Sequence, residues 1–164
     1  MPDRSRLVIN TGPLIALVAA IGDLEVLESL YDEVLVPLEV VREIAAGGID
    51  GLAVRELEQA RGLTKRAKPV EIGTLLANSL DLGEAAVIQL ALDEQIPTVA
   101  IDEAVGRRVA KLCGLQLTGS VGILLKARAQ GFDFSMRTAL ERMRVRGIWL
   151  SQGLVDSALK LAEE

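Results

Sequence analysis

Short, almost wholly apolar runs separated by amphipathic stretches leave this chain few ways to fold. Residues 7–9 (Leu-Val-Ile), 34–36 (Val-Leu-Val), 97–101 and 115–117 are too short for helices. They are also too apolar for strands with one wet face. Helical spacing fills the intervals. Leu24, Leu27 and Leu30 follow Asp23, and Leu38, Val41 and Ile44 follow Pro37, with Gly47-Gly48 as a stop. Val87, Leu90 and Ala91 line one face of a helix over 84–94. Further helices are expected at 13–20, 103–112, 119–129, 135–144 and 153–163. One more is expected at 49–62, with a connecting edge segment at 63–68. Buried strands alternating with helices make a parallel sheet covered on both faces, an α/β/α fold. One domain is expected over 1–164, with 47–82 the least regular part and the candidate for a mobile clamp. In such sheets, sites form beyond the carboxyl ends of the strands. Those ends here are Asn10, Pro37, Asp102 and the Thr118-Gly119-Ser120 turn.

What the chain lacks narrows the chemistry. Histidine is absent and Cys113 is the one cysteine. That excludes Ser–His and Cys–His nucleophiles, His-based acid–base schemes, His-ligated metals and an internal disulfide. Aromatic residues are 2% of the chain, so stacking platforms for single-stranded nucleic acid are excluded as well. No Gly-x-Gly-x-x-Gly follows a strand, and no Gly-x-x-x-x-Gly-Lys or Gly-x-Ser-x-Gly occurs. The net charge of −5 gives no chain-wide basic field. The bases are nevertheless grouped, as in Arg107, Arg108 and Lys111, and each group reads either as a solvated face or as a phosphate-contacting patch. Residues 7–21 imitate a secretory signal, but Asn10-Thr11-Gly12-Pro13 interrupts them. The clean apolar remainder is far shorter than the about 20 residues of a bilayer span, so a cytoplasmic protein is expected.

Four polar positions stand where strands end or helices begin: Asn10, Glu43, Glu84 and Asp102. Carboxylates held close together cannot all stay ionised unless a cation neutralises them. Mg²⁺ and Mn²⁺ prefer such oxygen ligands and support phosphoryl displacement without His or Cys. Each residue also has a plainer reading. Asp81-x-x-Glu84 is a capping-box pattern, Asp102 an N-cap, Asn10 a turn residue and Glu43 an exposed helix residue.

At these residues the chain resembles the PIN-domain family. The matching segments are Val8-Ile9-Asn10-Thr11-Gly12-Pro13-Leu14, Val36-Pro37-Leu38-Glu39-Val40-Val41-Arg42-Glu43-Ile44, Leu80-Asp81-Leu82-Gly83-Glu84-Ala85-Ala86 and Thr98-Val99-Ala100-Ile101-Asp102. The run Thr118-Gly119-Ser120-Val121-Gly122-Ile123 resembles a prokaryotic PIN-like branch related to the VapC-type toxins. The resemblance implies a Rossmann-like α/β/α fold and a Mg²⁺- or Mn²⁺-dependent endoribonuclease acting on RNA, often as a homodimer. It also implies a toxin paired with a small antitoxin protein. Carried over, Glu43, Glu84 and Asp102 are the catalytic and metal-site acids, and Asn10 falls where most active members have aspartate. Thr11, Arg107, Arg108 and Ser120 are the substrate-contact candidates. Because Asn10 carries no charge, a catalytically silent PIN fold acting as a binding module is the second expectation. Another Mg²⁺-dependent phosphohydrolase is the third.

Overall fold

The computed structural model describes residues 5–164. Its sheet has five parallel strands: β1 (Arg6–Ile9), β2 (Glu33–Val36), β3 (Thr64–Lys65), β4 (Thr98–Ala100) and β5 (Gln116–Thr118). Their order is β3-β2-β1-β4-β5. β1 is the middle strand, with Val8 opposite Leu35 on one side and Val99 on the other. Leu7, Val8, Ile9, Val34, Leu35, Val36, Val99 and Ala100 are all buried, as continuous apolar runs require of a sheet covered on both faces.

The helices are α1 (Thr11–Ile21), α2 (Glu25–Leu30), α3 (Leu38–Ala45), α4 (Val54–Gln59), α5 (Thr74–Ser79), α6 (Leu82–Asp93), α7 (Ala104–Leu112), α8 (Ser120–Ala129), α9 (Met136–Val145) and α10 (Gln152–Leu161). α1 packs on α8 and α9, which also carry α10. α6 packs on β1 and β4 and meets α5 and α7. The chain moves outward from β1 to β2 and β3, then crosses back to β4 and β5. Right-handed crossovers in those two directions put helices on both faces, and the reversal opens a crevice between the ends of β1 and β4. The Rossmann-like α/β/α architecture expected from the sequence is the one observed.

Local differences from the expected elements have physical causes. α1 starts at Thr11 rather than Pro13. Asn10 is its N-cap (φ −89°, ψ 170°), and Pro13 falls in the first turn, where a missing N–H loses no helical bond. The helix expected over 49–62 is broken into a 3-10 turn, Ile49–Gly51, and the shorter α4. Asp50 (φ 49°) and Ala53 (φ 76°) adopt left-handed conformations there, which no helix interior accommodates. α5 lies in a stretch expected to be irregular. The edge segment at 63–68 contains β3, parallel to β2. Of the domain expected over 1–164, the first four residues lie outside the described ones.

The last two helices are tied back by one side chain. Glu164 Oε2 accepts from the Met136 N–H at 2.6 Å, and its Oε1 accepts from Ser135 Oγ at 2.9 Å, at the N-terminus of α9. Arg128 of α8 reaches the same carboxylate at 3.4 Å.

The middle of the sheet should dominate stability. Leu35→Ala, at a fully buried position, should cost about 2–5 kcal/mol. Leu112→Ala, at 81% exposure, should stay within about 0.5 kcal/mol. Denaturant midpoints of the two variants test this ordering.

Candidate metal centre

Asn10 and Asp102 follow the ends of β1 and β4 and flank the crevice. The Asn10 N–H donates to the Ala100 carbonyl at 3.0 Å, which continues the ladder one residue past β1. The Asn10 side chain makes no cap hydrogen bond, so the helix start does not occupy it. Thr11, the next residue, is buried, and its Oγ1 donates to Glu43 Oε2 at 3.0 Å, linking α1 to α3. Glu43 is exposed on α3. One turn earlier, Glu39 is buried, and its Oε2 accepts the Val70 N–H at 2.8 Å. A cleft of about 400 Å³ is lined by Glu39, Arg42, Glu43, Asp81, Leu82 and Gly83.

Half of the capping-box reading holds. Asp81 is the N-cap of α6, and its Oδ1 accepts the Glu84 N–H at 2.9 Å. The Glu84 side chain does not return the bond. It is 3% exposed, and its Oε1 has no hydrogen-bond partner. Asp102 Oδ1 accepts the Ser120 N–H at 2.8 Å, and Ser120 is buried at the start of α8. Arg107 Nη1 donates to the carbonyls of Ile101 at 2.6 Å and Thr118 at 3.1 Å, so it joins the ends of β4 and β5. Arg108 is exposed on α7.

Three glycines make room for the polar groups. A Cβ on Gly83 would lie 2.7 Å from Glu43 Oε2 and 3.2 Å from Asn10 Oδ1, so both oxygens face one gap over the start of α6. A Cβ on Gly106 would lie 2.9 Å from Glu84 Oε1, and one on Gly119 would lie 2.5 Å from Asp102 Oδ1.

The tightest acidic group is not the trio expected from the sequence. Among the described residues, the group of three acids whose ligand oxygens lie within 4.8 Å of one another is Asp81, Glu84 and Glu103. Of these, sequence reasoning singled out Glu84 for chemistry and gave Asp81 only a capping role. Glu103 was missed. It directly follows Asp102 and heads α7, and neither fact separates it from an ordinary N-cap.

Burial pushes the Glu84 carboxyl up to about 7, with Asp81, Glu103 and Glu43 adding to the shift. Asp102 is exposed as a residue, yet desolvation of its carboxyl also raises it, against the Ser120 hydrogen bonding and the Arg107 charge. Three buried acceptor oxygens, Asn10 Oδ1, Glu84 Oε1 and Glu39 Oε1, have no donor. Such groups cost free energy unless something positive faces them. An all-oxygen donor set with excess negative charge fits a hard divalent cation, so the residues present suit one.

The sign of the Glu84 shift fixes a pH dependence. The unfolded chain ionises this group near 4.5, whereas the fold does so near 7. The folded state therefore holds the extra proton between those values. The stability this provides is full below the ordinary carboxylate range and is lost as pH rises through the shifted value. In metal-free protein, Glu84→Gln should raise stability at about pH 8, by up to about 3 kcal/mol, and change little at about pH 4. Thermal melts at the two pH values measure the difference.

The model of the family DUF3368, a PIN domain, matches residues 6–164. No curated protein and no solved structure matched the chain in the corresponding comparisons. The matched span runs from the first strand through the last helix and includes every polar residue placed at the crevice. On that extent of match, the chain belongs to the PIN-domain family.

Proposed function

We propose that this chain is a divalent-metal-dependent endoribonuclease acting on single-stranded RNA. In this reading Asn10, Glu43, Glu84 and Asp102 hold Mg²⁺ or Mn²⁺. PIN domains are generally nucleases that use divalent metals, which supports the reaction class. The observation that carries the reading is the pair of buried, donorless oxygens, Asn10 Oδ1 and Glu84 Oε1, beside the crevice. When bound, a hard divalent cation supplies positive charge to a phosphodiester undergoing in-line displacement and helps water ionise.

The chain's own groups prepare the site. Thr11 Oγ1 holds one oxygen of Glu43, and the Ser120 N–H holds one oxygen of Asp102. Each carboxylate is thus oriented by one hydrogen bond. Arg107, bonded through Nη1 to two strand-end carbonyls, fixes the loop that carries Asp102, and the exposure of Arg108 supports a contact with a phosphate backbone. Leu82, 64% exposed, lines the same cleft as Glu43 and supports cover by a partner segment. With the resemblance to VapC-type toxins, this favours a toxin blocked by a small antitoxin protein. Exposed Trp149 (83%) and Val145 (79%) support a homodimer. No helix among the described residues is long and apolar enough to cross a membrane, and the single free cysteine supports a cytoplasmic location.

Asn10 favours a second reading, a PIN fold without catalysis that serves as a binding module. The neutral amide leaves the site one negative charge short of the pattern with aspartate.

Three substitutions test these readings. Asp102→Asn should abolish Mn²⁺-dependent cleavage of single-stranded RNA with little change in melting temperature. Cleavage that persists in this variant would remove Asp102 from the mechanism. Gly83→Ala should leave the fold intact but weaken metal binding, because its methyl would fill the gap shared by Glu43 and Asn10. Asn10→Asp should increase Mn²⁺ affinity and cleavage, and an absence of gain would favour the binding module.

A further inference from the structure

The basic end of α9 takes no part in the metal centre. Residues 135–149 hold four arginines and one glutamate, in a chain whose net charge is −5. Arg142 and Arg146, one turn apart on the same face, line a cavity of about 460 Å³ with Glu141, Val145 and Ala19 of α1. Neither guanidinium has a salt bridge or a hydrogen bond among the described residues. A second cavity, of about 350 Å³, shares Arg142 and reaches Ile21 and Ser135. α9 therefore starts beside the end of α1 and runs back along it, which turns its basic end toward the side where α1 begins.

Beyond α9 the chain makes a fixed turn. Gly147 (φ 85°) is left-handed, and the Ile148 N–H donates to the Met143 carbonyl at 3.1 Å. Arg144 Nη2 donates to the Leu150 carbonyl at 3.2 Å. Leu150 is buried, yet Trp149 beside it is 83% exposed, more than any other large apolar side chain among the described residues. The helix dipole accounts for bases in the last turn of α9, but not for an indole held in water next to them.

We propose that Arg142, Arg146 and Trp149 form a docking surface for single-stranded RNA, separate from the metal centre. Such a strand, unlike an acidic protein segment, offers both a row of phosphates and flat base faces. The guanidiniums meet the phosphates, and the exposed ring takes a base. One ring makes no extended platform, but it suffices to stack a single base. The surface adds affinity for the strand and plays no part in holding the metal. It rests on the reading of the chain as a ribonuclease. Val145 and Trp149 also support a homodimer, so a second copy of the chain is the competing occupant.

Trp149 is the single tryptophan of the chain, so its fluorescence reports on this surface alone. Titration of poly(U) into the full chain in EDTA should quench that fluorescence, and added NaCl should reverse the quench. Polyphosphate, which carries the charge without the bases, should displace poly(U) without itself quenching. In filter binding, Arg142→Gln combined with Arg146→Gln should weaken poly(U) binding at least about tenfold and lower the slope of log affinity against log salt by about 1.4. Trp149→Ala should weaken binding by about tenfold, the scale of one stacked base. Both variants should keep the Mn²⁺ affinity of the unsubstituted protein, and circular dichroism melts confirm that they are folded. Poly(U) binding that leaves Trp149 fluorescence unchanged would place the strand elsewhere and overturn the proposal while the nuclease reading stands. A dimer in sedimentation that Trp149→Ala dissolves, with poly(U) affinity unchanged, would assign the face to a second copy and overturn it too. No poly(U) binding in EDTA would also overturn it, and Mn²⁺-dependent cleavage measured alongside would decide the nuclease reading independently.

Discussion

The site depends on β1 being hydrogen-bonded on both sides and buried from Leu7 to Ile9. A strand paired with β2 on one edge and β4 on the other cannot slide or tilt without breaking two ladders. Its last bond, from Asn10 N–H to the Ala100 carbonyl, fixes the point at which the two neighbouring strands part. Everything that reaches the crevice is measured from there. Thr11 follows in the same turn, Asp102 leaves β4 alongside, and α6 packs back across both strands to bring Glu84 over the gap. The chemistry is thus carried by loops and helix starts, while an inert apolar strand sets its geometry.

Within that frame, competition between capping and repulsion arranges the acids. Asp81 and Glu103 sit at the N-termini of α6 and α7, where the helix dipole favours negative charge. Glu84 lies between them and is desolvated, so its ionised form is held against its surroundings. The fold keeps a proton on this carboxyl where water would remove it. Glu39 shows the contrasting solution on α3. Its Oε1 is likewise buried without a partner, but its Oε2 accepts the Val70 N–H, so it pins the segment after β3.

Much of this was legible in the sequence. Runs such as Leu7-Val8-Ile9 and Val34-Leu35-Val36 have one stable destination, and that is where they are found. Asn10 and Asp102 could be placed at strand ends because the apolar runs stop there. The break at Asp50 and Ala53 was not legible, because neither residue type announces a left-handed conformation. α5 was missed because six residues give too little periodicity to recognise. The meeting of Glu103 with Glu84 is a tertiary event between two helix starts 19 positions apart in the chain, and no local pattern encodes it. The engagement of Arg107 with Thr118 is hidden for the same reason, since β5 must first lie beside β4.

The three glycines that crowd the polar groups have a consequence for how the site is inherited. Gly83, Gly106 and Gly119 each lie where an added side-chain carbon would meet an oxygen of Glu43, Glu84 or Asp102. The acids are therefore only half of the specification, and each depends on an absence elsewhere in the chain. A lineage can silence such a centre while every carboxylate stays in place, by gaining a single methyl group. An inventory that counts acids alone would still score that protein as intact.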